Sequence, residues 1–147
     1  MAITKVLSVG GSIVVPEKPD TDFLQKFITM IRSWLAEDSK RRLILVVGGG
    51  GPARIYQQAY AEILAKTNTS GKADSSAADW IGIMATRLNA QLVKAAAGKL
   101  CEQDVVYNPT TASEFTGRIL LAAGWKPGFS TDNDAVLLAE KFKADTV

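Results

Sequence analysis

Three short stretches of this chain carry residues that could do chemistry. They are Gly10-Gly11-Ser12, Gly48-Gly49-Gly50-Gly51 with Arg54 close behind, and Ser130-Thr131-Asp132-Asn133-Asp134. A glycine turn lets backbone come near a phosphate and aim N–H donors at it. A helix starting there adds a favourable dipole. One such turn alone is a chain reversal; two, each following a strand, form a phosphate-binding pattern. Arg54 falls in the first turn of the helix after the tetraglycine. A cation there is mildly unfavourable for the helix dipole, but a guanidinium suits bidentate contact with phosphate. The hydroxyls and carboxylates of the third stretch can position phosphate, magnesium or a catalytic lysine, or cap a helix through Thr131 or Asp132. Asp79 carries the same pair of readings, ligand or cap. Thr86, Arg87 and Asn89 sit in a mostly apolar helix and need partners, in the fold or in a ligand.

Other chemistries are excluded by composition. The chain has no histidine, which removes histidine triads and histidine metal sites. Cys101 is the single cysteine, so no disulfide framework or zinc cluster forms within one chain. A lone thiol suits a reducing cytoplasm, the expected location. Basic and acidic residues nearly balance, 17 against 15, and the densest basic run, Lys40-Arg41-Arg42, reads as a solvated turn and not a nucleic-acid footprint. No signal peptide is expected, and no apolar run is long enough for a membrane span. The P-loop pattern is absent. Gly48 to Ala53 satisfies the loose dinucleotide pattern, but that reading needs a strand with an acidic end about 20 residues on, and the polar stretch Thr67 to Ala77 stands there instead.

The elements that must hold these stretches alternate between strand and helix. Lys5 to Val15 reads as a strand ending in a glycine turn. Asp20 or Thr21 caps a helix, with Phe23, Phe27, Met30, Ile31, Trp34 and Leu35 at helical spacing. Leu43 to Val47 is a continuous apolar run, the mark of a strand buried on both faces of a parallel sheet. Pro52 suits the start of a helix reaching about Lys66. Thr67 to Ala77 reads as a surface loop. Asp79 to Ala97 is apolar almost all round, which predicts a buried central helix. Short strands follow at Val105 to Tyr107 and Ile119 to Ala122, then a loop from Gly128 to Asp134 and a helix from Ala135 to Phe142. Asp145-Thr146-Val147 reads as the start of one more strand. The fold class is α/β, three layers with a largely parallel sheet.

In order along the chain, VLSVGGSIVVPEKPD, LILVVGGGGPAR, DWIGIMATRLNAQLV and KPGFSTDNDAVLLAE resemble the amino-acid-kinase superfamily and, within it, the archaeal-type uridylate kinases. One such motif would be weak; four in register cover nearly the whole chain. The resemblance implies ATP-dependent phosphorylation of UMP, or a related phosphorylated acceptor, to the diphosphate by direct in-line transfer. Gly10, Gly11 and Ser12 would line the site of the transferring phosphate, with Asp132 at the catalytic centre. Gly48, Gly49 and Gly50 would cradle the acceptor phosphate, with Arg54 pairing its charge and Thr131 beside it. Asp79 would hold the nucleoside, with Gly82, Thr86 and Asn89 nearby. Magnesium would bridge donor phosphates, and no protein metal site is implied.

The resemblance also discriminates between relatives. Isopentenyl phosphate and fosfomycin kinases use a histidine at the acceptor phosphate, and none is present. Acetylglutamate and carbamate kinases carry a lysine two residues before the first glycine pair, where this chain has Ser8. Lys5 lies on the opposite side of the strand from Ser8 by the period of two. Members of the family continue into a second lobe that binds the adenine of ATP. Residues 1–147 are therefore expected to be a single domain, the N-terminal acceptor-binding lobe, inactive by itself and homo-oligomeric. The alternative is a non-catalytic nucleotide- or anion-binding module on the same fold, which Ser8 would allow.

Overall fold

The computed structural model describes residues 2–67 and 73–147. Its centre is a parallel sheet of β1 (Ile3–Val9), β2 (Arg41–Val47) and β3 (Ile119–Ala122), in the order β1-β2-β3. Val6 lies opposite Ile44, and Ile44 opposite Leu120. Successive side chains of a strand face opposite ways, and both faces of β2 are covered. Leu43, Leu45 and Val47 pack beneath α2 (Thr21–Ala36) and α4 (Ser75–Ala97). Ile44 and Val46 pack against Ala135, Leu138 and Ala139 of α5 (Thr131–Lys141). This gives the expected three layers, α/β/α, and explains the unbroken apolar run of β2. Burying each such side chain stabilises the fold by about 1.5–3 kcal/mol.

Both flanks of the sheet carry single bridges. Val106 pairs parallel to Ala122, inside the expected short strand. Thr146 pairs parallel to Lys5, as expected for the last residues, and the Lys5 ammonium donates to Thr146 Oγ1 at 3.2 Å.

Several expectations need correction. The first strand stops at Val9, and Gly11–Val14 forms a one-turn helix, α1, closed by the Val15 N–H on Gly11 O at 2.7 Å. Asp20 is the cap of α2, accepting from the Phe23 N–H at 3.0 Å. The buried stripe of α2 is Leu24, Ile28, Ile31 and Leu35, an i, i+4, i+7, i+11 line; Met30 is 58 % exposed. Phe23, Phe27 and Trp34 are only partly buried, because aromatic rings at the edge of the stripe cover the core without entering it.

The next helix, α3 (Gly50–Lys66), begins inside the tetraglycine, two residues before Pro52. Helix α4 begins at Ser75, with the Asp74 carboxylate capping it through the Ser76 N–H at 3.0 Å. The end of the expected Thr67 to Ala77 loop is therefore helix; its residues 68–72 lie outside the described residues. Nor is α4 buried all round. Ile83, Thr86, Ala90, Val93 and Ala97 face the core, whereas Met84 and Leu88 are 52 % and 70 % exposed. Apolar content marked both faces alike; only the packing separates them. Among the described residues the element that follows α3 is helix α4, not the second strand a dinucleotide fold would need. Finally, α5 starts at Thr131, so part of the expected Gly128 to Asp134 loop is its first turn.

Candidate functional site

The carboxyl ends of the three strands point the same way, and the turns beyond them meet around α4. Between them lies a cleft of about 460 Å³. Its walls are the start of α3 (Gly49, Gly50, Arg54), one face of α4 (Asp79, Gly82, Thr86) and the β3–α5 loop (Lys126, Phe129, Thr131). This is where an open parallel sheet places its ligands.

The turn after β2 is bare backbone. Gly48 and Gly11 approach so closely that a Cβ on Gly48 would lie 2.7 Å from Gly11 N. The two glycine turns are thus packed on one another, which no larger residue permits. Gly50 has φ +64, in the left-handed region, and a Cβ there would collide with the carbonyls of Val15 and Gly11. The first N–H groups of a helix have no acceptor within it. Those of α3 start at the cleft, and Gly51's is taken by Val15 O at 3.0 Å.

The turn after β3 is built from side chains. Trp125 and Phe129 rings lie 4.6 Å apart, and the Lys126 ammonium sits 4.3 Å from the Trp125 ring centre. The loop then enters α5 through Ser130, whose hydroxyl accepts from the Asn133 N–H at 3.1 Å. Ser130 is therefore the cap, not Thr131 or Asp132. Asp132 and Asp134 are acidic residues in the first turn, favourable for the helix dipole.

Helix α4 ties the two turns together. Asn89 donates to Gly48 O and Gly49 O, at 2.9 and 3.0 Å. Thr86 Oγ1 accepts from the Gly124 N–H at 2.8 Å and donates to Ile83 O at 2.6 Å. Arg87 donates to the carbonyls of Gly124 and Trp125, at 3.3 and 3.1 Å, and lies 4.3 Å from the Tyr107 ring centre. The partners that Thr86, Arg87 and Asn89 needed are therefore in the fold. Thr86 forms part of the cleft floor; Asn89, 4 % exposed, lies under the glycine turn and off the cleft lining.

Beside the cleft, the Arg54 guanidinium donates to Ser12 Oγ at 3.3 Å, reaching from the second glycine turn to the first. The Ser8 hydroxyl donates to Asp132 Oδ1, which joins the end of β1 to the start of α5. Asp132 is exposed. Asp134 is its opposite: 1 % exposed, with no hydrogen-bond partner on either carboxylate oxygen. Burial pushes its carboxyl up from 3.8 to about 6; the Trp125 backbone N–H pulls weakly the other way, short of a regular hydrogen bond.

Of the residues singled out in the sequence, Gly49, Gly50, Arg54, Asp79, Gly82, Thr86 and Thr131 line one cleft. Gly10, Gly11, Ser12 and Asp132 are not among its lining residues: Ser12 is tied to it by Arg54, Gly11 packs on Gly48–Gly50, and Asp132 follows the lining residue Thr131 and bonds to Ser8. Gly48 and Asn89 lie beneath it. Sequence reasoning missed Lys126, Phe129 and Gln57. Gln57 donates to Ala78 O at 2.9 Å and borders Gly82 so closely that a Cβ there would lie 2.8 Å from its amide nitrogen. The signal for Lys126 was present: a cation between the end of β3 and Pro127-Gly128. Among the described residues no three His, Cys, Asp or Glu gather as a metal site, and no helix is long and apolar enough to cross a membrane.

The sequence pattern of the amino acid kinase family matches residues 4–147. The uridylate kinase of Methanospirillum hungatei is 41 % identical over 144 residues, covering 97 % of this chain and 56 % of that protein. The uridylate kinase of Thermococcus kodakarensis is 40 % identical over 95 % of this chain and 58 % of its own. In three dimensions the chain is similar to the crystal structure of the uridylate kinase of Archaeoglobus fulgidus, with a TM-score of 0.74 and 34 % identity, covering 96 % of this chain and 59 % of that one. The chain thus spans somewhat more than half the length of these relatives.

Proposed function

This chain belongs to the amino acid kinase family, and from that premise we propose that it is the acceptor-binding portion of a uridylate kinase, which phosphorylates UMP to UDP at the expense of ATP. The reaction asks little covalent chemistry of the protein. It needs two phosphates held in line and their charge offset. The observation that carries the reading is the Arg54–Ser12 contact at 3.3 Å. One cation reaches from the second glycine turn to the first, so it can pair with the acceptor phosphate and lie against the transferring one.

The roles follow from position. Gly49 and Gly50 offer backbone N–H groups to the acceptor phosphate, and Thr131, at the start of α5, meets it from the other wall. Gly48 sets the approach of the turn. Asp79 and Gly82 border the nucleoside end, with Lys126 and Phe129 opposite. Gly10, Gly11 and Ser12 receive the transferring phosphoryl group. Asp132, exposed and bonded to Ser8 at the end of β1, brings a carboxylate near that turn. One carboxylate fits a magnesium ion that arrives on the donor phosphates better than a resident metal. When bound, magnesium supplies charge neutralisation there, and Asp132 would hold it or its waters. ATP itself would be held largely by residues outside this chain. The protein is proposed to be cytoplasmic and homo-oligomeric; the exposed Met84 and Leu88 of α4 favour a partner surface.

A second reading draws on Ser8. A neutral hydroxyl stands where several relatives have a lysine, as a non-catalytic anion-binding module would permit. Kinetics separate the two. In the natural protein containing this sequence, Arg54→Ala should lower kcat/KM for UMP by about 100-fold or more, the usual cost of one preorganised donor to a developing charge. Arg54→Lys should recover only part of it, since the bidentate fork is lost. Absence of turnover with every nucleoside monophosphate would leave only the binding module.

A further inference from the structure

Four successive glycines make a turn with almost no conformation of its own, yet this one must hold its N–H groups in a fixed direction to bind an anion. Asn89 supplies what the glycines lack. Its side-chain Nδ2 donates to two consecutive carbonyls, those of Gly48 and Gly49. A trans peptide is planar, so the N–H of each residue points opposite to the C=O of the residue before it. No described peptide bond is cis. Holding the Gly48 carbonyl therefore turns the Gly49 N–H away from α4, and holding the Gly49 carbonyl does the same for the Gly50 N–H.

Two further observations say where those amides point and what they suit. Gly49 is right-handed, at φ −83 and ψ −34, and Gly50 left-handed, at φ +64. This alternation makes successive N–H groups converge on an anion-binding concavity. Against the same amides lies Gly11, where a Cβ would stand 2.6 Å from Gly49 N and closer still to Gly50 N. Only a glycine at position 11 lets the first turn pack this close to them.

We propose that Asn89 is a positioning residue: without touching the substrate, it aims the Gly49 and Gly50 N–H groups at the phosphoryl oxygens of the acceptor. The identity of the acceptor rests on the uridylate-kinase reading; the clamp does not. Released from Asn89, the Gly48–Gly50 peptides can rotate and turn carbonyl oxygens towards the anion. An amide is required, since its two hydrogens match the two carbonyls.

The test follows the Gly49 and Gly50 amide resonances of this chain during titration with UMP and, separately, with inorganic phosphate. In the unaltered chain both amides shift and saturate. In Asn89→Asp at about pH 7.5 the carboxylate cannot donate, and affinity for either ligand falls by about tenfold or more, the worth of one charge-assisted hydrogen bond. Lowering the pH to about 5 protonates a carboxyl crowded by carbonyls, so the ratio of variant to unaltered affinity recovers. A purely structural role for Asn89 would not restore anion binding with acid. Where Asn89→Asp fails to fold, Asn89→Ser, with one donor instead of two, should give an intermediate loss. A folded variant binding phosphate as well as the unaltered chain overturns the proposal, as do amides that do not respond to phosphate. Amides that respond to phosphate but not to UMP support the clamp and count against the uridylate reading.

Discussion

The turns after β2 and β3 face one another across the cleft, and they are built on opposite principles. The first is four glycines and exposes only backbone; the second crowds Trp125, Lys126, Phe129 and Ser130 into six residues. Both are fixed by the same helix, through Asn89 on one side and Thr86 and Arg87 on the other. The difference divides the labour. A backbone cradle binds any phosphate, because every phosphate presents the same oxygens. Side chains distinguish what the phosphate is attached to. Geometry is therefore expected to fail when the glycine side is altered, and selectivity when the other side is.

The largest effect should come from Gly50→Ala. Its left-handed φ and the carbonyls of Val15 and Gly11 leave no room for a methyl group. A loss of about 3 kcal/mol or more is expected, seen as a lowered Tm together with lost UMP binding. Arg54→Ala comes next; its loss of turnover should appear with little change in Tm, because the side chain is exposed.

Asp134 tests the β3 side through pH. Its carboxyl is raised from 3.8 to about 6 in the fold. An acid raised on folding holds its proton more tightly in the native state, so the fold is most stable below the unfolded value. That advantage is lost as pH rises from about 4 through about 6. Asp134→Asn should therefore raise stability by about 1–3 kcal/mol near pH 8 and by much less near pH 4, as measured by urea unfolding at both. A gain that is the same at both pH values would contradict the assignment. The smallest effect belongs to Lys126→Ala. An exposed cation at the rim should change KM for UMP by about 3- to 10-fold and leave kcat nearly untouched, while the Gly50 side keeps its phosphate affinity.

The same contrast explains what could be read from the sequence. The glycine turns, β2 and the cluster Ser130 to Asp134 were legible because their signals are local: glycine runs, an unbroken apolar run, hydroxyls and carboxylates together; that the cluster is the first turn of α5 and not a loop was not. The three-layer arrangement followed from the alternation of strand and helix. The failures came where neighbours decide. Met30 and Ile31 are neighbours on α2 and read alike in the sequence, yet only Ile31 faces the core. On α4, Met84 and Leu88 look as buried as Ile83 and Val93 until the sheet is placed beneath one face only. Ser130, and not Thr131 or Asp132, caps α5 because capping depends on which residue leaves helical φ and ψ, as its ψ of 160 shows. Asn89 was found as a polar residue in an apolar helix, but its double bond to the glycine turn needs two elements some forty residues apart to be brought together.

The central claim is that an acceptor phosphate sits between the backbone of Gly49 and Gly50 and the guanidinium of Arg54. A crystal structure of this chain with UMP bound tests it most directly. The account predicts the phosphate within hydrogen-bond distance of both amides and of Arg54, with the uracil towards Asp79 and Lys126. A phosphate bound elsewhere, out of hydrogen-bond reach of the two amides, would contradict it.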